Sequence, residues 1–397
     1  MKIIHTADLH LGFNAYPKEG AEQRFASLNF LEDYALKSKP DIVLIAGDLF
    51  DRRDPPSFVQ ERFALFVKNL TKNGIGIFIL TGNHEGPPNK ERRIHLDVYS
   101  ALEIPNVIVA RKMGLYKMKG VNIVAVPYPY KKNLLAKDKY KIESEEEAAK
   151  LMNEVILKSV KKYLEKVSDK NPVILTMHIG VSEGKVGSEQ YLALTNELTI
   201  SVSDLDFEEV SYIAMGHLHE MQMLSTPRNN IPVVYPGSLE RLNFGEENNK
   251  KGFFEVEFSE GTHTPSMEFV ENPFARSFYT INLRKDEDTE NVDWNKAKKS
   301  ITRIKLLEDF ENEEILKSLI EKLKKESYVF AGITDSRREK DETAFAVTHR
   351  AISPKQAIEK YLSEKAKNNE FIKKEKEKIA EVSTEILKEV FEGSEEV

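Results

Sequence analysis

The 397-residue chain contains no cysteine. Disulfides, thiolate nucleophiles and Cys-based zinc sites are therefore excluded, and any bound metal must use oxygen and imidazole ligands. Positive charge is not in excess either: 58 Lys and Arg stand against 65 Asp and Glu, a formal net charge of −7. The global basic footprint of a nucleic-acid binder is missing, so any contact with a polyanion has to be local. No apolar stretch reaches transmembrane length. MKIIHTADLHLG at the N-terminus runs straight into a strand-like segment with no basic leader or cleavage site, so a cytoplasmic protein without membrane contact is expected. The length leads us to expect more than one domain.

What the chain does have is a series of short apolar runs with polar ends. KIIHTAD (2–8), DIVLIAGD (41–48), GIFILTGN (76–83), NPVILTMH (171–178) and YIAMGH (212–217) each read as a buried strand. In all five, the strand end or the turn after it carries Asp, Asn or His. Helical patterns over 22–37 and 56–72 alternate with the early strands as βαβ units do. Ligands of α/β sheets bind beyond the carboxyl ends of the strands, so the polar tips should converge on one cleft. IPVVYPGS (231–238) and GFFEVEF (252–258) suggest that the first domain closes with antiparallel strands. The expected fold class is α/β, a sandwich of two mixed sheets over residues 1–270. Over 271–348, FYTINL, RIKLLE, a helix near 312–325 and YVFAGIT read as a small ββαβ domain. The Lys/Glu-rich segment 137–170 reads as a helical insertion. Residues 349–397 read as charged helices. Ser353 is an N-cap with Pro354 at the first helical position, and Ala357, Ile358, Tyr361 and Leu362 share a face. Ile372, Ile379, Val382, Ile386 and Val390 repeat that pattern.

The strand tips supply Asp8 and His10 from DLH, Asp48 from GDLFD, Asn83 and His84 from GNHE, His178 from MHIG, and His217 and His219 from GHLH. A lone buried histidine is more often a hydrogen-bonded core residue than a ligand. Several tips carrying metal-binding side chains beside turn glycines are not explained that way. Leaving His84 aside, two Asp, one Asn and four His are too many ligands for one tetrahedral ion and suit two ions sharing a carboxylate. Carboxylate, amide oxygen and imidazole without thiolate favour manganese, iron, magnesium or zinc, and the Asn oxygen points toward a harder ion such as Mn2+. Two such ions, about 3.5 to 4 Å apart, lower the pKa of a water between them and clamp both oxygens of an in-line displacement at phosphorus. Phosphoester hydrolysis is the expected reaction.

The ordered motifs Asp-x-His, Gly-Asp, Gly-Asn-His-Glu, His and Gly-His-x-His resemble the calcineurin-like metallophosphoesterase superfamily. That resemblance implies an α/β sandwich with a dinuclear site. It implies that Asp8, His10 and His219 bind one metal, that Asn83, His178 and His217 bind the other, and that Asp48 bridges them. In an extended segment His217 and His219, as residues i and i+2, would project to the same side. The histidine matching His84 acts on the leaving group in this family. YPGSLERLNFGEE (235–247), GDLFDRRDPPS (47–57) and ISPKQAIEKYL (352–362) are similar to SbcD-type nuclease subunits. Asp51 stands where the archaeal and eukaryotic branch usually has His, and Glu85 where the superfamily commonly has Asp.

The SbcD resemblance implies exonuclease action on duplex ends and endonuclease action on single strands and hairpins, within a homodimer partnered by an SbcC-type ATPase. It also implies a capping domain, matching 271–348, and C-terminal helices that dock on the ATPase through the apolar faces named above. Arg52 and Arg53, with Lys90, Arg92 and Arg93, would flank the metal cleft and meet DNA phosphates. The competing readings are a stand-alone phosphoesterase acting on small molecules or phosphoproteins and a non-catalytic scaffold, the latter opposed by the presence of every ligand position.

Overall fold

The structure, a computed structural model, describes residues 1–13, 25–86, 94–130, 145–185, 198–260, 262–307 and 310–336, with the single positions 378 and 382. By internal contacts the chain divides into two compact units. One comprises Met1–Thr280, Val292–Arg303 and Lys317–Ala331; the other comprises Ile281–Asn291, Ile304–Leu316 and the chain from Gly332. Lys90, Arg92, Arg93, Ile358, Tyr361, Leu362, Ile379, Ile386 and Val390 lie outside the described residues. Val382 is exposed. Among the described residues no helix is long and apolar enough to cross a membrane.

In the first unit, β1 (Lys2–Thr6), β2 (Ile42–Ala46), β3 (Gly76–Leu80) and β4 (Val107–Ala110) run parallel. The helices α1 (Ala26–Ser38), α2 (Ser57–Lys72) and α3 (Asp97–Ala101) lie between them in the chain. The second sheet contains β5 (Gly114–Met118), β6 (Val121–Val126) and β7 (Val173–His178), with α4 (Glu145–Leu164) between the last two. A short pair, β8 (Gly180–Val181) and β9 (Thr199–Ile200), precedes β10 (Tyr212–Gly216), β11 (Gln222–Ser225) and β12 (Pro232–Tyr235). The chain then returns to the first sheet with β13 (Gly252–Glu257) and β14 (Ser266–Glu271). Strand orders are β14-β13-β1-β2-β3-β4 and β11-β12-β10-β7-β6-β5. β13 pairs antiparallel with β1, so the expected antiparallel closure is found.

The strands carry near-continuous apolar runs because both faces are covered. Along β2, Ile42, Leu44 and Ala46 belong to the layer between the sheets, with Ile123, Ile174 and Tyr212, while Val43 and Ile45 pack outward. That outer layer is completed by Val59, Phe63, Phe66, Val67 and Leu70 of α2, spaced at the helical period. Each such side chain contributes roughly 1.5–3 kcal/mol by its burial. On the far side, Ile156 and Val160 of α4 cover Val124, Leu175 and Ile213. The sandwich thus fixes β1, β2, β3, β7 and β10 rigidly, and their carboxyl ends carry the polar tips.

Further along lie β15 (Ser277–Leu283), α5 (Trp294–Ala297), β16 (Ser300–Leu306), α6 (Glu313–Glu326) and β17 (Val329–Asp335). The three strands form one sheet in the order β15-β16-β17.

Candidate metal centre

Beyond β1 the backbone leaves regular structure and is held against the turn after β2. The amide of Asp8 donates to the Gly47 carbonyl at 3.1 Å and that of His10 to the Asp48 carbonyl at 3.1 Å. Asp8, His10 and Asp48 have φ of 50°, 41° and 46°, and His217 has φ of 102°. Four side-chain-bearing residues in the left-handed region within one site cost of order 1–3 kcal/mol each, and such strain clusters at functional sites. The GHLH segment is therefore not the extended strand end expected from its sequence. β10 stops at Gly216, and the turn at His217 redirects the chain. This turn lets both amide contacts form from the His217 N–H to the Asp8 carboxylate oxygens, at 3.1 and 3.0 Å.

Among the described residues three clusters of ligand atoms result: Asp8, His10 and His219; Asp8, Asp48 and His178; and His10, Asp48 and His84. Within them His10 Nε2 and His219 Nε2 are 3.1 Å apart. His178 Nε2 is 3.1 Å from Asn83 Oδ1, 3.3 Å from Asp48 Oδ2 and 4.0 Å from Asp8 Oδ1. Asp48 Oδ2 also lies 4.0 Å from His10 Nε2 and 3.9 Å from His84 Nε2, so one carboxylate stands between these three imidazoles. His217 joins none of these clusters. Its ring centre is 5.2 Å from that of His178 and 5.8 Å from that of Tyr128.

The other ring nitrogens explain why these faces point inward. His178 Nδ1 donates to the Ala46 carbonyl at 2.7 Å, which leaves Nε2 facing carboxylate and amide oxygens. His219 Nδ1 is held at 3.2 Å by Glu246 Oε1. Glu246 is fully buried. It is braced by Lys251 Nζ at 2.7 Å and the Leu242 amide at 3.1 Å. A carboxylate behind a ligating histidine fixes its tautomer and raises its basicity. His84 Nδ1 donates to the Asp51 carbonyl at 2.6 Å, and its own amide donates to Asp48 Oδ1 at 2.9 Å.

This arrangement fits a cation. Lone pairs on imidazole and carboxylate converge at 3–4 Å, and such pairs repel unless a proton or a metal lies between them. Burial works against a charge on His178, yet the neighbouring Asp48 carboxylate overrides it and raises the imidazole to about 9. Burial raises the Asp8 carboxyl to about 6, with the nearby imidazoles of His178 and His219 acting in the opposite direction. Burial and the adjacent His219 hold His10 well below its ordinary value, neutral as a ligand must be. His10 Nδ1 is buried with no hydrogen-bond partner, and Asp51 Oδ1 is 3.9 Å away. A cation on Nε2 would place the ring proton on that side, toward a carboxylate.

Glycine spacing is equally specific. Gly47 has φ of 98°, and a Cβ there would collide with His178 Nδ1. At Gly216 a Cβ would run into the Ala46 carbonyl oxygen. The GNHE turn is secured by Glu85, which accepts from the Gly82 amide at 2.7 Å and the Phe50 amide at 3.2 Å. Tyr130 adds a bond from its hydroxyl to the Asn83 carbonyl at 2.9 Å. Arg52 is exposed and Arg53 half-buried; the Arg53 side chain lies alongside Gly86. Glu246, Tyr128 and Tyr130 were not singled out by sequence. Nothing in FGEE or PYPY distinguishes a bracing side chain from an ordinary surface one.

The calcineurin-like phosphoesterase pattern matches residues 1–221. The chain is 27% identical over 285 residues to the SbcD subunit of the SbcCD nuclease of Escherichia coli strain K12, covering 68% of each chain. Identity and coverage are the same for the corresponding protein of Escherichia coli O157:H7. Among solved structures, a dimetal phosphatase from Danio rerio is 10% identical, covers 65% of this chain and 93% of that one, and gives a TM-score of 0.38, too low to bear on function. With a match spanning more than half its length, this chain belongs to the calcineurin-like phosphoesterase family.

Proposed function

We propose that the chain is the nuclease subunit of an SbcCD-like DNA repair complex, cleaving duplex ends, hairpins and single strands at a centre of two divalent ions, with Mn2+ the favoured metal. The observation that carries this reading is the Asp48 carboxylate, standing between the imidazoles of His10, His84 and His178, of which His84 and His178 are tied to backbone carbonyls through Nδ1. Asp8, His10 and His219 would hold one ion and Asn83, His178 and His217 the other, with Asp48 shared. Bound divalent ions would supply an activated water and neutralise charge on the phosphoryl oxygens. His84 presents Nε2 beside that centre while Nδ1 is fixed on a carbonyl, a placement suited to giving a proton to the departing oxygen. Arg52 and Arg53 would neutralise flanking phosphates, with Lys90, Arg92 and Arg93 in the same role.

Similarity to a protein named for the SbcCD nuclease supports DNA as substrate and an SbcC-type ATPase as partner. The docking surface would be the C-terminal helices, with residues 271–348 as the cap. A homodimer would use the exposed apolar side chains Leu65, Val98 and Leu102 on and beside α2 and α3. The cytoplasm is the expected compartment.

The test is cleavage of end-labelled duplex, hairpin and single-stranded DNA in Mn2+, Mg2+ or chelator, beside bis-p-nitrophenyl phosphate. DNA cleavage that requires the metal is expected. Hydrolysis of the small ester with no cleavage of any DNA, even with an SbcC-type partner and ATP, would favour the stand-alone phosphoesterase instead.

A further inference from the structure

The two ring nitrogens of His10 have very different surroundings. The residue is only 3% exposed, and Nε2 faces His219 Nε2 at 3.1 Å and Asp48 Oδ2 at 4.0 Å. Nδ1 is buried and forms no hydrogen bond among the described residues. A buried N–H left without an acceptor costs about 1–3 kcal/mol, and a histidine that holds a metal almost always gives its second ring proton to a carboxylate, a carbonyl or water. His178 turns Nδ1 to the Ala46 carbonyl and His219 turns Nδ1 to Glu246. For His10 the group on that side is the Asp51 carboxylate, with Oδ1 3.9 Å away. Backbone pairing holds the two residues together. The amides of His10 and Leu11 donate to the carbonyls of Asp48 and Leu49, and Asp51 returns its own amide to the Leu11 carbonyl at 3.1 Å. The Asp51 side chain is 21% exposed, so it is neither locked into the core nor spread into solvent.

We propose that the Asp51 carboxylate is a positioning residue for His10: it accepts the Nδ1 proton once Nε2 is committed to a cation, and so holds the imidazole in the tautomer and direction that a ligand requires. The present separation is roughly 1 Å beyond a hydrogen bond, a gap that rotation of one carboxylate can close. The proposal rests on the two-ion reading and deepens it, because it divides Asp51 between two tasks. Its carbonyl holds His84 Nδ1 at 2.6 Å, whereas its carboxylate serves His10. A change of side chain at this position therefore reaches a metal ligand while the backbone contact to His84 stays.

The test is titration of the metal-free full-length protein with Mn2+, followed by electron paramagnetic resonance, in which the free ion gives a sharp signal that is lost on binding. Asp51→Leu should weaken Mn2+ binding by about 10- to 100-fold, the range for losing the partner behind a ligating imidazole. Asp51→Asn, which keeps an acceptor oxygen on a side chain of the same size, should recover most of that affinity. Urea unfolding in chelator shows that each variant is folded, and Asp51→Ala replaces Asp51→Leu if the latter is not. Unchanged Mn2+ affinity in Asp51→Leu, or a loss that Asp51→Asn does not restore, would overturn the role of Asp51 while leaving the two-ion reading in place. So would a loss of hydrolysis at saturating Mn2+ with unaltered affinity, which would assign the carboxylate to the reaction and not to His10. Uptake of no Mn2+ by the intact protein would overturn both.

Discussion

His84 Nδ1 donates to the Asp51 carbonyl at 2.6 Å, and this bond aims Nε2 toward Asp48 Oδ2, 3.9 Å away. The contact uses the backbone of Asp51, so it does not depend on which side chain occupies that position. His84→Gln keeps an uncharged polar amide near the Nε2 position and removes the titratable ring. Phosphodiester hydrolysis should fall by about 10²- to 10⁴-fold, the usual contribution of general acid catalysis. Metal content, measured on the same sample by mass spectrometry, should stay at the level of the unaltered protein. Equal loss of metal would instead make His84 a ligand.

Glu246 reaches the centre through His219, and it also pairs with the buried Lys251. Glu246→Gln should therefore have two separable effects. Metal affinity is expected to fall about 10- to 100-fold, as when a partner behind a ligating imidazole is lost. Stability should fall by roughly 3–5 kcal/mol, because the buried ammonium loses the carboxylate 2.7 Å away. Metal titration and denaturant unfolding read the two effects independently. Replacing Lys251 by Met in the same chain should recover much of the stability but not the metal affinity.

Gly47 sits at the turn that carries Asp48, with its backbone in the left-handed region. Gly47→Ala forces a methyl group against His178 Nδ1 and strains φ, which alone costs about 1–2 kcal/mol. Displacing His178 separates it from both Asp48 and Asn83. The expected outcome is a lowered melting temperature together with loss of bound metal. An unchanged metal content would mean that the turn can shift without disturbing the imidazole.

The strands and their polar ends were legible in the sequence because buried parallel strands are written as short β-branched runs between turn residues. Asp8, Asp48 and His178 follow from that pattern directly: a polar residue at the carboxyl end of a buried strand has few places to point. The path of GHLH was not legible. Whether a chain stays extended past its last strand residue depends on tertiary contacts, here the two bonds from the His217 amide to Asp8, 209 residues away. Glu246 was hidden for a related reason. Its burial is produced by Lys251 and Leu242 closing over it, and no local periodicity records such a closure.

His5 lies outside the metal centre, in the layer between β1 and β10, and gives a prediction about stability instead of activity. Nε2 faces the Met215 carbonyl at 3.2 Å and must carry the proton, so Nδ1 accepts from the Tyr212 hydroxyl at 2.8 Å. Burial lowers the imidazole from its ordinary value to about 3, opposed only partly by the bond to Met215. The unfolded chain, with an ordinary histidine near 6.5, therefore binds the extra proton before the folded chain does. This contribution is fully present above about pH 6.5 and is lost progressively as the pH falls toward 3. Between pH 7.5 and 5 it should amount to about 2 kcal/mol. Urea unfolding at the two pH values, with chelator present so that metal release does not contribute, measures the difference. His5→Gln should remove about 2 kcal/mol of the pH dependence while lowering stability at pH 7.5. If the variant keeps the full slope, the proton uptake belongs to other groups and His5 does not titrate on unfolding in this range.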